Sequence, residues 1–146
     1  MYVASDHDTE VRLTIEALID LVNALTDAAS DPDGAPVDVR ALLHEHGFSR
    51  AAGASAATID RVEDRVGSMV DTLLALPDSG PEPTVAWINR QLSGIHITPS
   101  LTDHDGAGLH IHWTPTSATL DDQVIADFLM ALAQEVCDHG TSRFGT

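Results

Sequence analysis

Apolar residues three and four positions apart run through both ends of the chain, and this spacing constrains the fold more than any other feature. Val11, Ile15, Leu18, Val22 and Leu25 keep it within a predicted helix from about Thr9 to Ala29, with Ile19 and Leu21 widening the stripe. Ile125, Phe128, Leu129, Leu132 and Val136 keep it from about Leu120 to Asp138. Helices with apolar stripes must bury them against a neighbour, so these two predict a helical core.

Between them the pattern changes more than once. Asp38 is a suitable cap for a short helix over Val39 to His46, and Gly47 supplies the left-handed residue that often follows a helix. Phe48 is expected to fold back onto the core, and Ala51 to Ala57 reads as a loose connection. A third helix is predicted from about Ala56 to Leu76, capped by Ser55 or Thr58, with Ile59, Val62, Val66, Met69, Val70 and Leu73 inward. Pro77 to Pro81 should stop it. A fourth runs from Pro83 to Leu92 with Val85, Ile88 and Leu92 apolar, Trp87 at the stripe's edge and Gly94 closing it. The period then drops to two: Ile95 and Ile97 alternate with His96 and Thr98, and Leu109, Ile111 and Trp113 with His110, His112 and Thr114. Two alternating runs around a loop with Asp and Gly predict a hairpin. The expected fold class is α+β: a mostly helical single domain over residues 1–146, with about five helices and one antiparallel β-hairpin near residues 95–114.

Charge narrows the function. Twenty-three Asp and Glu face seven basic residues, all of them Arg, for a net charge of −16. Such a surface repels phosphate, so direct binding to nucleic acid or to an anionic membrane is not expected of these residues. No apolar run is long enough to span a bilayer, and the first residues lack the basic and apolar regions of a signal peptide, which points to the cytoplasm. The single cysteine, Cys137, excludes an internal disulfide and a multi-cysteine zinc site within these residues.

Histidines are the first candidates for chemistry. His110 and His112 lie two apart on a predicted strand and share a face, and pairing the apolar faces adds His96. Three imidazoles on one face suit a divalent transition metal, a polar ligand patch, or simply the solvated side of a sheet. His44 and His46 are two apart on a helix and diverge, so they do not form a zinc motif. His104, within Asp-His-Asp-Gly, lacks the further oxygens of a calcium loop. Cys137 sits at a helix end, where the dipole disfavours a thiolate. No nucleophile elbow, phosphate loop or dinucleotide glycine pattern occurs, so no enzymatic activity is expected. Asn23 interrupts the apolar stripe of the first helix and is expected to be partly buried, either bonded to a neighbouring loop or at the mouth of a pocket. A pocket between hairpin and helices would draw on Asn23, Trp87, His110, His112 and Trp113, with Trp113 on the opposite strand face from the two histidines.

Several short segments resemble one family in order and spacing. Ala17 to Leu25 resembles the "ALDLVNT" segment of bacterial CGNR zinc-finger proteins, and Ala41 to Gly47 their "WL..HG" helix, with Ala41 where Trp is common. Trp87 to Leu92 resembles the "LN..L" helix, and Arg143 to Thr146 the link into the finger. The resemblance implies the N-terminal ABATE domain, described as a stress-induced transcription regulator. It further implies a basic, four-cysteine zinc finger that contacts DNA, expected after residue 146. Zinc would belong to that finger alone, and no cofactor is expected in these residues. The function so implied is a non-enzymatic regulatory domain that senses a small-molecule effector, forms a homodimer, or both. An acidic protein–protein interaction module is the alternative, and a His-based metal-binding protein the next.

Overall fold

The computed structural model describes residues 3–31, 33–102, 110–115 and 117–140, without the side chains of residues 3–10, 102 and 110. Six α-helices and a two-stranded antiparallel sheet make up the described residues: α1 Val3–Ser30, α2 Val39–Glu45, α3 Ala56–Gly67, α4 Val70–Ser79, α5 Pro81–Ser93, β1 Ser100–Thr102, β2 His110–His112 and α6 Leu120–His139. The mostly helical α+β expectation therefore holds.

The last helix organises the fold. α6 packs against α1, α3 and α5. Its buried face, including Val124, Phe128, Leu129 and Leu132, meets Leu18, Leu21 and Val22 of α1, Val62 and Val66 of α3 and Ile88 of α5 in one core. Phe48 does fold inward and sets its ring edge-on to Phe128, with centroids 5.8 Å apart and planes at 85°. The expected caps form, with Asp38 accepting from the Ala41 amide at 3.0 Å and Ser55 from Thr58 at 3.1 Å, and Thr119 caps α6 in the same way, accepting from Asp122 at 3.4 Å. Gly47, at φ +93°, takes the left-handed turn after α2.

Five expectations need correction. α1 starts at Val3 rather than at about Thr9, so it takes in Asp6 and Asp8. Acidic residues favour the positive end of a helix, and they extend this one. Its stripe is also narrower than expected, because Ile19 and Leu13 face solvent.

The predicted helix over 56–76 is two helices broken at Ser68 and Met69. Gly67 is a weak helix former, and the Ser68 hydroxyl donates to the Arg65 carbonyl at 2.7 Å, competing with the backbone ladder. The Met69 amide then turns back to Val66 at 2.9 Å, and Leu73 bonds Met69 at 2.9 Å to restart the helix. Both break residues keep right-handed helical dihedrals, so the apolar stripe passes through almost unbroken. α4 then tolerates Pro77 in its last turns and stops only at Gly80, whose φ of +80° redirects the chain into α5.

α5 starts at Pro81 and buries Thr84, Trp87 and Ile88, leaving Val85 exposed. The Thr84 hydroxyl donates to the Gly80 carbonyl at 2.8 Å, so a polar residue can occupy the core face.

The strands are shorter and later than the alternation implied. Ser100 pairs with His112, Leu101 with Ile111 and Thr102 with His110, and only the Thr98 amide, bonded to Trp113 at 2.8 Å, extends the contact backwards. His96 lies outside the ladder. The apolar pair faces outward, with Leu101 71% and Ile111 40% exposed. Three residues per strand are too few to cover a helical layer, and among the described residues the hairpin makes no broad contact with the helices.

The connection after α2 is not loose. Arg40 Nη1 donates to the Ala51 and Ala54 carbonyls at 2.7 and 2.6 Å, fastening a short 3₁₀ turn, Ser49–Ala51, to α2.

Candidate functional site

A cleft of about 200 Å³ opens where the α3–α4 break, the end of α5 and the middle of α6 converge. Arg65, Ser68 and Met69 form one wall, Arg90, Gln91, Gly94 and Ile95 another, and Ile125 of α6 contributes the apolar floor. Ser68 and Met69 are the residues of the α3–α4 break, and Gly94 and Ile95 follow the end of α5.

Arg65 is held firmly. Its Nη1 donates to Asp121 Oδ2 at 2.7 Å and to Asp122 Oδ1 at 2.6 Å, both in the first turn of α6. Burial works to lower the Arg65 pKa, but its bonds to Asp122 and Asp121 outweigh burial and raise it. Asp121 is almost fully buried; burial pushes its carboxyl up, and the Thr119 and Arg65 side chains together pull it below the ordinary value. Arg61 Nε adds a longer ion pair to Asp121 at 3.5 Å. This network ties α3 to α6 and sets the angle at which the Arg65 guanidinium meets the cleft.

Arg90 differs. Among the described residues its guanidinium has no hydrogen bond or ion pair, and it lies exposed in the last turn of α5.

The sequence-derived site residues lie elsewhere. Asn23 is exposed on α1 rather than partly buried, Trp87 is core, and His112 and Trp113 are half-buried at the end of β2. His110 shares the ladder with His112, but its side chain lies outside the described residues, as does the Asp-His-Asp-Gly loop. Asn23, Trp87, His112 and Trp113 do not line the cleft. Among the described residues no group of three or more His, Cys, Asp or Glu is placed to hold a metal. His44 and His46 do diverge: His44 is exposed, while His46 Nε2 bonds Asp20 Oδ2 at 2.8 Å, joining α2 to α1. Cys137 is exposed near the end of α6.

Sequence reasoning missed Arg65, Arg90 and Gln91. The one signal available was scarcity: few basic residues in an acidic chain leave each arginine a candidate for a specific partner.

No helix among the described residues is long and apolar enough to cross a membrane. No family model matches the chain, nor does any curated protein or solved structure.

Proposed function

We propose that this chain is a non-enzymatic regulatory domain that senses a small molecule in the α3–α5–α6 cleft. The cleft itself carries the reading. Its lining pairs guanidinium and amide donors with the apolar side chains of Met69, Ile95 and Ile125, a combination that holds and orients a ligand. Its position explains how occupancy would be transmitted. A ligand bridging α3 and α5 over Ile125 favours one placement of α6, the helix around which the others pack. The sequence resemblance supplies the output: a bacterial transcription regulator, with a DNA-binding zinc finger beyond α6 and no direct nucleic-acid contact by the acidic domain.

A thermal-shift screen of the chain against a metabolite library tests this. A ligand in large excess over its Kd stabilises the folded state in proportion to RT ln([L]/Kd), so a true effector raises Tm in a concentration-dependent way. If no metabolite stabilises the protein, the sensing reading is wrong.

The outward-facing Leu101 and Ile111 favour a second reading, an acidic protein–protein interaction module or homodimer. Sedimentation separates the two. A stable dimer that ignores every metabolite, and that Leu101→Ser dissociates, supports the second.

A further inference from the structure

The chemistry of the cleft narrows the effector to a class. Asp and Glu make up 23 of 146 residues, yet none of the eight residues around the cleft is acidic and two of the seven arginines are there. The side chains that line the cleft are thus basic or neutral: Arg65 is paired with Asp121 and Asp122, and Arg90 carries the positive charge that no carboxylate matches among the described residues.

Donors are available as well as charge. A guanidinium carries five N–H donors. Arg65 commits only Nη1 to Asp121 and Asp122, leaving Nε and Nη2 without a hydrogen bond among the described residues. Arg90 has all of its donors to offer. Two helix ends border the cleft, and free carbonyls there would repel an anion. Several are already occupied: the Arg65 carbonyl accepts from Ser68 Oγ at 2.7 Å, Val66 from Met69 at 2.9 Å, Gln91 from Gly94 at 3.2 Å and Leu92 from Ile95 at 3.1 Å. Met69 and Ile125 are buried beneath the cleft, and the partly exposed Ile95 offers apolar surface beside its polar groups.

We infer that the cleft binds a small organic monocarboxylate with an apolar body, its carboxylate held between Arg65 and Arg90 and its hydrocarbon against Met69, Ile95 and Ile125. Planar guanidinium and carboxylate groups match in a two-pronged hydrogen bond, which gives geometry as well as charge. A single negative charge suits the site better than a phosphate, because every further charge must be brought against a net −16. This inference rests on the sensing reading above and specifies its ligand.

Amide chemical-shift titrations of the full chain test it with three probes: 4-methylpentanoate, the neutral 4-methylpentanamide and inorganic phosphate. The expected result is that 4-methylpentanoate moves the amides of Ser68, Met69, Gln91, Gly94 and Ile95 and binds at least about tenfold more tightly than either other probe. Arg90→Gln, a change on an exposed side chain, should weaken the carboxylate by about tenfold or more and leave the amide unchanged, and Arg90→Lys should restore part of the loss. Equal binding of carboxylate and amide, preference for phosphate, or an Arg90→Gln variant that binds 4-methylpentanoate as well as the parent would overturn the inference. In the first of those outcomes the sensing reading survives with a neutral effector. If none of the probes moves the cleft amides, the carboxylate inference is wrong, and the metabolite screen decides separately whether sensing is wrong with it.

Discussion

Asp127 offers a direct test of how burial acts in this fold. It lies on α6 beside Phe128, half-buried, and no hydrogen bond or ion pair compensates it among the described residues. Burial alone pushes its carboxyl from the ordinary 3.8 up to about 7. A folded pKa above the unfolded one means that the native state holds its proton where the unfolded chain has lost it. Stability therefore falls as pH rises from about 4 to about 7, and the loss is complete above that window. Between about pH 5 and pH 8 only the part of the shift above pH 5 contributes, about 3 kcal/mol, and solvent access to a half-buried side chain reduces this to roughly 1–2 kcal/mol. Asp127→Asn keeps the shape and removes the titration. Urea denaturation at both pH values, for parent and variant, gives the comparison. Every other titrating group is shared, so the difference between the two pH dependences isolates Asp127. The parent should lose about 1–2 kcal/mol more than the variant on going to the higher pH. Parallel pH profiles for the two proteins would refute the reasoning and place Asp127 in contact with water.

Three further changes probe the frame around the cleft. Arg65→Met leaves the buried Asp121 without its main partner. A fully buried pair would lose about 3–5 kcal/mol, and the 34% exposure of the Arg65 side chain reduces the expected loss to about 2 kcal/mol, read as a lower urea midpoint. Because Asp121 holds its carboxyl low in the folded state, its stabilisation is present above the unfolded pKa and is lost as pH falls through the folded one; Arg65→Met should blunt that acid loss. Phe128→Ala removes a fully buried ring and its edge-on contact with Phe48, and should cost about 3–5 kcal/mol by the same assay. Gly80→Ala meets no atom within 4 Å, so its cost is conformational only, about 1–3 kcal/mol for a side chain at φ +80° and ψ 175°.

The parts of the fold that the sequence makes legible are those in which one local rule decides. The stripes of α1 and α6, the caps at Asp38, Ser55 and Thr119 and the glycine turn at Gly47 all follow from residues within a few positions of one another. The break at Ser68 escapes because its residues stay near helical dihedrals, so periodicity does not register a change of axis. The hairpin escapes in part because alternation says which residues share a face and not which face is covered; Leu101 and Ile111 alternate correctly and point outward. Trp87 and Asn23 exchange their expected roles for a related reason. α5 buries the face of Thr84, Trp87 and Ile88 rather than that of Val85, so Trp87 is core, and α1 offers α6 a stripe too narrow to include Asn23.

The cleft is the least legible feature, because it depends on three helices meeting rather than on any one of them. Arg65 and Arg90 are far apart in sequence, and neither sits in a motif. What brings their helices together is α6, which supplies Asp121 and Asp122 to orient Arg65, Gln123 to hold Arg50 at 3.0 Å, and Ile125 to floor the space. Those contacts lie within the first two turns of one helix, and Asp127 follows in the next. A ligand that draws Arg65 and Arg90 together must therefore act on the same segment whose stability Asp127 makes pH-dependent. Two inputs that bias one helix are thermodynamically linked, whatever lies beyond that helix. On the proposed regulatory reading, the helix that holds the core together would also be the one through which occupancy of the cleft is felt.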